Sequence, residues 1–236
     1  LLVFLYWNIL DIDAAKPQVP DRDRFVLSKG HAAPALFQVL AERGFYPSER
    51  LSEFGVNGSV FHEHLPVPGY LPGVEAATGS LGHGMPMALG MALAARIAKM
   101  PYRCYTLISD GECNEGVIWE AAMLASAHQV DNLCAVVDFN GWQATGRSRE
   151  VMRVDPMEDK WEAFGWDVVM IDGHDFSAMA GAFEACAATR GQPSVVIAHT
   201  VKGKGVSFME DDNNWHYRTP DEDELRLALE ELQDHR

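Results

Sequence analysis

Two apolar runs of this sequence end on side chains that carry oxygen ligands. LISDGECNEG places Asp110 directly after one run, and LCAVVDFNGW places Asn140 directly after another, with a helix-forming segment between them. A right-handed strand–helix–strand crossover brings the carboxyl ends of its two parallel strands side by side. We therefore predict that Asp110 and Asn140 converge, although 30 positions separate them.

Carboxylate and carboxamide oxygens are hard ligands, suited to Mg²⁺ or Ca²⁺ rather than to zinc or copper. Two such side chains leave several positions of a Mg²⁺ octahedron open, as is usual where the ion bridges protein and phosphates. The backbone amides of Gly111 and Glu112 lie just before a predicted helix N-terminus, where phosphates bind readily. The pattern predicts a metal-bound diphosphate. Strands of α/β proteins also end in Asp or Asn for capping and turn reasons, however, and spacing alone favours neither explanation.

Strands alternate with helices along the chain. Apolar strands are predicted at FVL, YTLISD, LCAVVDF, DVVMIDG and SVVIAHT, and helices at about residues 32–43, 115–128 and 176–189 and from about residue 220. A further helix follows the first glycines of GSLGHGMPMALGMALAARIAK, whose order does not fit a dinucleotide-binding turn. The alternation predicts an α/β fold with a parallel β-sheet and helices on both faces.

Three irregular stretches are candidates for functional loops. Residues 55–79 are rich in Gly and Pro and carry His62 and His64, while residues 141–160 and 202–220 combine Gly with charge and show no periodicity. The last two follow predicted strands. We therefore expect mobile loops at the carboxyl edge of the sheet, where ligands of open α/β folds bind.

Composition limits the partners. The 236 residues are 47% apolar, enough for a substantial core, and carry a formal net charge of −15, which argues against nucleic acid and anionic membrane surfaces as partners. The four cysteines show no metal-ligand spacing, so we expect buried thiols and a reducing cytoplasm. The opening LLVFLYWNIL lacks the features of a signal peptide and is too short to span a bilayer; we expect part of a helix, with further residues upstream.

Four segments resemble the diphosphate-binding half of transketolase, in that family's order and across almost the whole chain. They are DRDRFVLSKGHAAPALF, LPGVEAATGSLGHGMPMALGMALA, DGECNEGVIWEAAMLASAHQVDNLCAVVDFNGWQATG and PSVVIAHTVKGKGVSFMEDDNNWHYRTP. Within the third, DGECNEG followed by DFNGWQATG is similar to the thiamine-diphosphate motif, with Ser109 in place of its first glycine. The segment KGKGVSFME and the WH that follows it resemble the corresponding segment of split transketolases, in which this half is a separate polypeptide.

The resemblance implies roles for individual residues. It implies that Mg²⁺, or Ca²⁺, is held by Asp110, Asn140 and the carbonyl of Trp142. It also implies a set of residues that face the cofactor or the substrate: His31 and His216, the amide of Gly111, the backbones of Gly79 and Leu81 at the aminopyrimidine, and His64 as a weaker match.

The resemblance also implies a role for Glu115. It matches a glutamate that lies at the subunit interface in the family and links paired active sites, and Glu120 matches a second one. Either residue could instead place acidic charge in the first turn of a helix, where negative charge is favoured; this alternative competes closely for Glu120 and ranks second for Glu115.

The function implied is that of one component of a transketolase-like enzyme, which uses thiamine diphosphate and Mg²⁺ to move a two-carbon ketol unit from a ketose to an aldose. We expect residues 1–236 to form a single diphosphate-binding domain without a pyrimidine-binding domain. The chain would then be active only with a separate pyrimidine-domain subunit. We expect this chain to form a homodimer or, more completely, a heterotetramer with that partner.

Other interpretations stay open. The family's upstream substrate-channel histidine has no counterpart, so either the chain is a fragment or that function is absent. A second enzyme class is the E1 component of 2-oxo acid dehydrogenases, whose related subunit also carries a thiamine-diphosphate motif, although SKGH and GVSFME favour transketolase. A non-enzymatic alternative is an orphaned cofactor-binding module.

Overall fold

The apolar runs of the sequence form strands. The computed structural model describes residues 1–234, and its strands in chain order are β1 Arg24–Leu27, β2 Cys104–Ser109, β3 Leu133–Phe139, β4 Trp142–Gln143, β5 Gly146–Arg147, β6 Asp167–Asp172 and β7 Ser194–His199. Five of them make one parallel sheet in the order β1-β2-β3-β7-β6, and β4 pairs with β5 in a small antiparallel hairpin. The predicted parallel sheet is confirmed.

Helices flank this sheet close to the predicted positions. They are α1 Leu2–Phe4, which continues into a π-helical stretch Leu5–Ile9, α2 Ala33–Glu42, α3 Gly84–Ala98, α4 Gly116–Ala127, α5 Ser148–Val151, α6 Met157–Ala163, α7 Phe176–Ala188 and α8 Glu222–Asp234. Where the sequence pattern predicts explicit ends, the observed helices begin and end within two residues of them.

Both faces of the sheet are apolar. On β1, Phe25 and Leu27 pack into a core shared with α1, α2 and α7, whereas Val26 packs into a second core shared with α3, α4 and α6. Successive side chains of a strand point to opposite faces, so a sheet covered on both sides needs apolar residues at every position. The continuous apolar runs of the sequence follow from this arrangement.

The prediction of an unstructured loop over residues 141–160 is wrong. This segment forms the β4–β5 hairpin, the one-turn helix α5 and the start of α6. Val154, Met157 and Trp161 are buried in the core under α3 and α4, which explains why the segment folds back onto the domain. Two-residue strands and a single helical turn are too short to produce a readable periodicity.

The ends of the strands meet at one edge. Ser109 of β2 is in register with Asp138 of β3, and Phe139 of β3 is in register with His199 of β7. The residues that follow the strands, including Asp110 and Asn140, therefore emerge together at the carboxyl edge of the sheet.

Other sequence expectations concern the thiols and the membrane. All four cysteines are free and buried, as expected. Within residues 1–234, no helix combines the length and the apolar character needed to cross a bilayer.

Candidate functional site

Asp110 is a fully buried carboxylate with one unpaired oxygen. Its Oδ2 atom accepts hydrogen bonds from the Gly141 amide at 3.1 Å and from the Ser148 hydroxyl at 2.6 Å. Its Oδ1 atom is buried without a hydrogen-bond partner. A buried oxygen in this state is costly and is open to a bound ion or water molecule. Burial raises the pKa of Asp110, which means that the fold alone does not favour its charged form.

Asn140 is held beside Asp110 by the turn that follows β3. Gly141 has a φ of 76°, a conformation that glycine adopts without steric cost, and its amide is the one that reaches Asp110. The Asn140 Oδ1 atom accepts a hydrogen bond of 2.9 Å from the Trp142 amide. The residues predicted from the sequence to hold a metal ion thus occupy one turn and the adjoining strand end.

The predicted metal ligands make an all-oxygen donor set. It comprises the Asp110 carboxylate, the Asn140 amide oxygen and the Trp142 carbonyl, which are the hard donors that Mg²⁺ prefers. Among residues 1–234, no group of three or more His, Cys, Asp or Glu side chains is placed to hold a metal ion. The predicted set contains only one such side chain and leaves positions for phosphate oxygens, so the residues present fit a metal bound together with a diphosphate.

A cavity of about 420 Å³ opens at this edge of the sheet. Six of the residues singled out in the sequence line it: His31, Leu81, Gly111, Asn140, Trp142 and His216. Other lining residues, to which the sequence pattern assigns no role, include Lys29, Gln143, Lys202 and Trp215. The volume is that of a small-molecule or cofactor site.

Two lysines, Lys29 and Lys202, line the cavity. The Lys29 ammonium forms an ion pair with the Asp138 carboxylate, which also accepts a hydrogen bond from the Thr200 hydroxyl. Burial alone would raise the pKa of Asp138, but Lys29 and these hydrogen bonds hold it below its usual value. Burial, followed by repulsion from Lys29, lowers the pKa of Lys202. In a chain of net charge −15, these cations are a local means of attracting an anion.

Three histidines form a cluster at the cavity mouth. The ring centroid of His31 lies 5.2 Å from that of His64 and 5.8 Å from that of His216, and His216 Nδ1 lies 3.4 Å from the Lys202 ammonium nitrogen. Partial burial, then nearby His64 and Lys29, lowers the pKa of His31; partial burial, then Lys202 and His31, lowers that of His216. The neutral imidazoles favoured in this way can each donate one hydrogen bond and accept another.

The SKGH loop (residues 28–31) and the GSLG loop (residues 79–82) touch directly through the backbones of Gly30 and Gly79. A Cβ atom on Gly30 would lie 2.6 Å from the Gly79 nitrogen, closer than side-chain carbons approach. Gly79 also lies against His64: a Cβ atom on Gly79 would come within 2.6 Å of the His64 Cδ2 atom. Gly79 and His64 thus adjoin the cavity through their contacts with Gly30 and His31.

The Glu112 side chain links the SKGH loop, the GSLG loop and the end of β2, a role that the sequence pattern does not predict. Its carboxylate is fully buried and accepts hydrogen bonds from the Ser28 hydroxyl, the Gly82 amide at 2.7 Å and the Ser109 amide at 3.4 Å. The pattern points only to the Glu112 amide. The acidic residue of the DGE segment was the signal available in the sequence, but two of its partners, Ser28 and Gly82, lie 84 and 30 positions away.

Glu115 and Glu120 lie outside the cavity. Glu115 is the exposed residue before α4, and its side chain makes no capping hydrogen bond. Its Cβ atom lies close to Gly82, where an added Cβ would come within 2.8 Å. Glu120 is exposed on α4. Their role at a subunit interface therefore stays a prediction.

Comparison with known proteins identifies the family. Residues 2–233 match the family described as transketolase, thiamine diphosphate binding domain. The chain belongs to the transketolase family. This membership confirms the resemblance found in the sequence and supports thiamine diphosphate as the ligand of the cavity.

Several transketolase relatives match along the whole chain. A 6-deoxy-6-sulfo-D-fructose transketolase subunit from a Clostridium species is 41% identical over 233 residues, which are 99% of this chain and 84% of that protein. One of the subunits of an apulose-4-phosphate transketolase from Phocaeicola vulgatus is 40% identical over 98% of this chain and 82% of its own length.

Solved transketolase structures share the fold. A transketolase from Pichia stipitis in complex with a sugar phosphate superimposes with a TM-score of 0.90 and 28% identity, over 98% of this chain. One from Campylobacter jejuni gives a TM-score of 0.84 with 28% identity. The present chain spans 35% and 41% of those two proteins, respectively.

Proposed function

We propose that this chain is the thiamine-diphosphate-binding subunit of a split transketolase, which transfers a two-carbon ketol unit from a ketose to an aldose. One observation carries the proposal: two relatives named as transketolase subunits are 41% and 40% identical to this chain over 99% and 98% of its residues. A separate pyrimidine-domain subunit would complete the site.

The cavity residues would hold the cofactor at its diphosphate end. Asp110, Asn140 and the Trp142 carbonyl would hold Mg²⁺, with Asp110 Oδ1 as the atom that gains a partner. Lys29 and Lys202 would offset the charge of the diphosphate. Thiamine diphosphate supplies the carbanion chemistry when bound, and the protein supplies placement.

The histidines would handle the substrate. His31 and His216 line the cavity, and their lowered pKa values favour neutral rings that both donate and accept hydrogen bonds. Such rings suit sugar hydroxyls, which also donate and accept. His64, which contacts His31, would orient that ring rather than bind the sugar directly.

Self-association would use the outer face of α3 and α4. Along α3 the exposed residues Met87, Gly90, Ala94 and Ile97 recur at helical spacing, and on the adjacent α4 Met123, Leu124 and Ala127 are exposed. An apolar face of this kind is unusual on a free surface of an acidic protein. It adjoins Glu115 and Glu120, so a two-fold dimer through this face would bring the predicted interface glutamates together. With the partner subunit, the assembly would be a heterotetramer.

Reconstitution tests the proposed function. The chain would be purified alone and together with a pyrimidine-domain subunit of a split transketolase, then supplied with Mg²⁺, thiamine diphosphate, a ketose donor and an aldose acceptor. We expect transfer only with both subunits, and none when Asp110→Asn replaces the wild-type chain. Robust transfer by the isolated chain would refute the split-enzyme proposal.

The same assay separates the alternatives. Release of CO₂ from a 2-oxo acid, without need for an acceptor aldehyde, would identify an E1-type component instead. Cofactor binding without turnover on any of these substrates in the two-subunit assembly would identify a non-catalytic binding module.

A further inference from the structure

Two segments that line the cavity, the β4–β5 hairpin and the loop after β7, are joined by a single carboxylate. Asp211 Oδ1 accepts hydrogen bonds from the Trp142 indole at 2.8 Å and from Arg147 at 2.7 Å, while its Oδ2 atom forms an ion pair with the same guanidinium. The guanidinium carbon of Arg147 lies 3.8 Å from the centre of the Trp142 ring. All three side chains are thereby locked into one cluster.

The backbone of Asp211 connects this cluster to Lys202, in the loop after β7. Its amide donates a hydrogen bond of 2.8 Å to the Lys202 carbonyl, and Lys202 lines the cavity next to His216. Asp211 has a φ of 57°, a left-handed conformation that Asp and Asn tolerate better than most residues. A second bond between the same loops, from the Asn213 side chain to the Ala144 carbonyl at 3.0 Å, runs parallel to it.

We propose that Asp211 is a positioning residue that fixes the β4–β5 hairpin against the loop bearing Lys202 and His216, and so sets the width of the cofactor cavity. The expected effect on cofactor binding rests on the proposed function, whereas the contact of Asp211 with Trp142 and Arg147 does not. The hairpin carries the Trp142 carbonyl predicted to hold Mg²⁺, and the loop after β7 carries His216, the predicted substrate histidine. Without Asp211, the hydrogen bond from Asn213 to the Ala144 carbonyl would still join the two segments.

The position of the cluster decides which property should change. The side chains of Arg147 and Asp211 are 31% and 52% exposed, and ion pairs at such exposure add little to global stability. Their loss should therefore leave the melting temperature nearly unchanged. Cofactor binding, which needs both segments in place at once, should weaken, because the free protein would spend part of its time with the hairpin displaced.

The test uses the two-subunit assembly and a matched ion pair. Asp211→Ala removes the cluster, whereas Asp211→Asn keeps an acceptor for Trp142 and the left-handed backbone but loses the charge that holds Arg147. Glu53→Ala is the control, because Arg50 and Glu53 form another exposed ion pair, 39% and 42% exposed, on residues that do not line the cavity. For thiamine diphosphate with Mg²⁺, we expect Kd to rise about 5- to 10-fold for Asp211→Ala, about 2- to 3-fold for Asp211→Asn and not measurably for the control.

A second readout is independent of the cofactor. With the chain labelled with 5-fluorotryptophan, the ¹⁹F resonance of Trp142, assigned by its absence in Trp142→Phe, should shift or broaden in Asp211→Ala before any ligand is added. The resonances of the buried Trp161 and Trp166 should stay in place.

The outcomes separate this inference from the proposed function. An unchanged Trp142 resonance together with wild-type cofactor affinity in Asp211→Ala would overturn the positioning role, as would an equal loss of affinity in Glu53→Ala. If the wild-type assembly itself binds no thiamine diphosphate, the proposed function fails, while the Trp142 resonance still decides whether Asp211 holds the hairpin. Should Asp211→Ala not fold, Asp211→Asn provides the same two measurements.

Discussion

Ser148 donates a hydrogen bond of 2.6 Å to Asp110, and both side chains are buried. The Ser148 amide in turn donates to the Gly141 carbonyl at 3.0 Å, so the chain after β3 closes over the carboxylate from two sides. Asp110 is therefore held in place by protein groups at Oδ2 and left unpaired at Oδ1. Its geometry is set before any ligand arrives.

Asp110→Asn should separate folding from cofactor binding. Burial raises the pKa of Asp110 in the fold, so ionisation costs stability once the pH exceeds the usual carboxyl value, and a neutral amide removes that cost at neutral pH. Without ligands we expect a free energy of unfolding equal to or above that of the wild type. Saturating Mg²⁺ and thiamine diphosphate should stabilise the wild type by about 2.7 kcal/mol at 100 times Kd, and the variant hardly at all.

Chemical denaturation with and without the ligands measures both effects. Asp172→Asn is the matched control, since Asp172 also ends a strand of the sheet but is exposed. A full ligand-induced stabilisation in Asp110→Asn would show that Asp110 is not a metal ligand.

Lys29→Met should destabilise the fold itself. The variant would leave the Asp138 carboxylate half-buried without its cation, and breaking such a pair from one side costs more than the pair contributes. We expect a loss of about 2 kcal/mol in the free energy of unfolding, less than for a fully buried pair because both side chains keep some exposure. The double variant Lys29→Met, Asp138→Asn should recover part of this loss, and a purely additive double variant would contradict the coupling.

His31→Gln and His216→Gln should lower the transfer rate far more than they change stability. At pH 7.5 we expect at least a tenfold fall in kcat/KM, equivalent to about 1.4 kcal/mol, with a change in unfolding free energy well below that value. His128→Gln, at the exposed end of α4, is the control. Variants that unfold readily while their folded fraction stays fully active would make these histidines structural.

The same variants should alter the pH dependence of stability. Because the fold lowers the pKa of His31 and His216, the unfolded chain binds more protons than the folded chain as the pH falls through the usual histidine pKa of about 6.5. The free energy of unfolding should thus decrease between pH 7.5 and pH 5.5. Each substitution should make that decrease smaller in denaturation curves recorded at the two pH values.

Met123→Lys should dissociate the predicted dimer. Met123 is 53% exposed on the apolar face of α4, and two-fold symmetry would place two of the new charges in one interface. Met170→Lys is the control, since Met170 is similarly exposed, at 48%, but lies on β6. Sedimentation velocity should show a dimer for the wild type and the control and a monomer for Met123→Lys; a stable Met123→Lys dimer would move the interface elsewhere.

The sheet and the turn that brings Asp110 and Asn140 together could be predicted from the sequence for topological reasons. β2 and β3 are adjacent strands joined by one helix, so Asp110 and Asn140 had to emerge together once both runs were recognised. The Lys29–Asp138 pair joins residues 109 positions apart, and the Ser28–Glu112 bond spans 84 positions. Such contacts depend on how β1 docks beside β2, which local pattern does not encode. The β4–β5 hairpin was missed because its strands are two residues long.

The direct contact of Gly30 with Gly79 bears on how this domain could be re-engineered. No side chain separates the two backbones, so their fit depends on the path of each loop and not on any replaceable group. A chimera that takes the SKGH loop from one relative and the GSLG loop from another would join surfaces shaped in different proteins, with no room for adjustment between them. The two loops should therefore be exchanged together when segments are swapped between members of the family to change substrate preference.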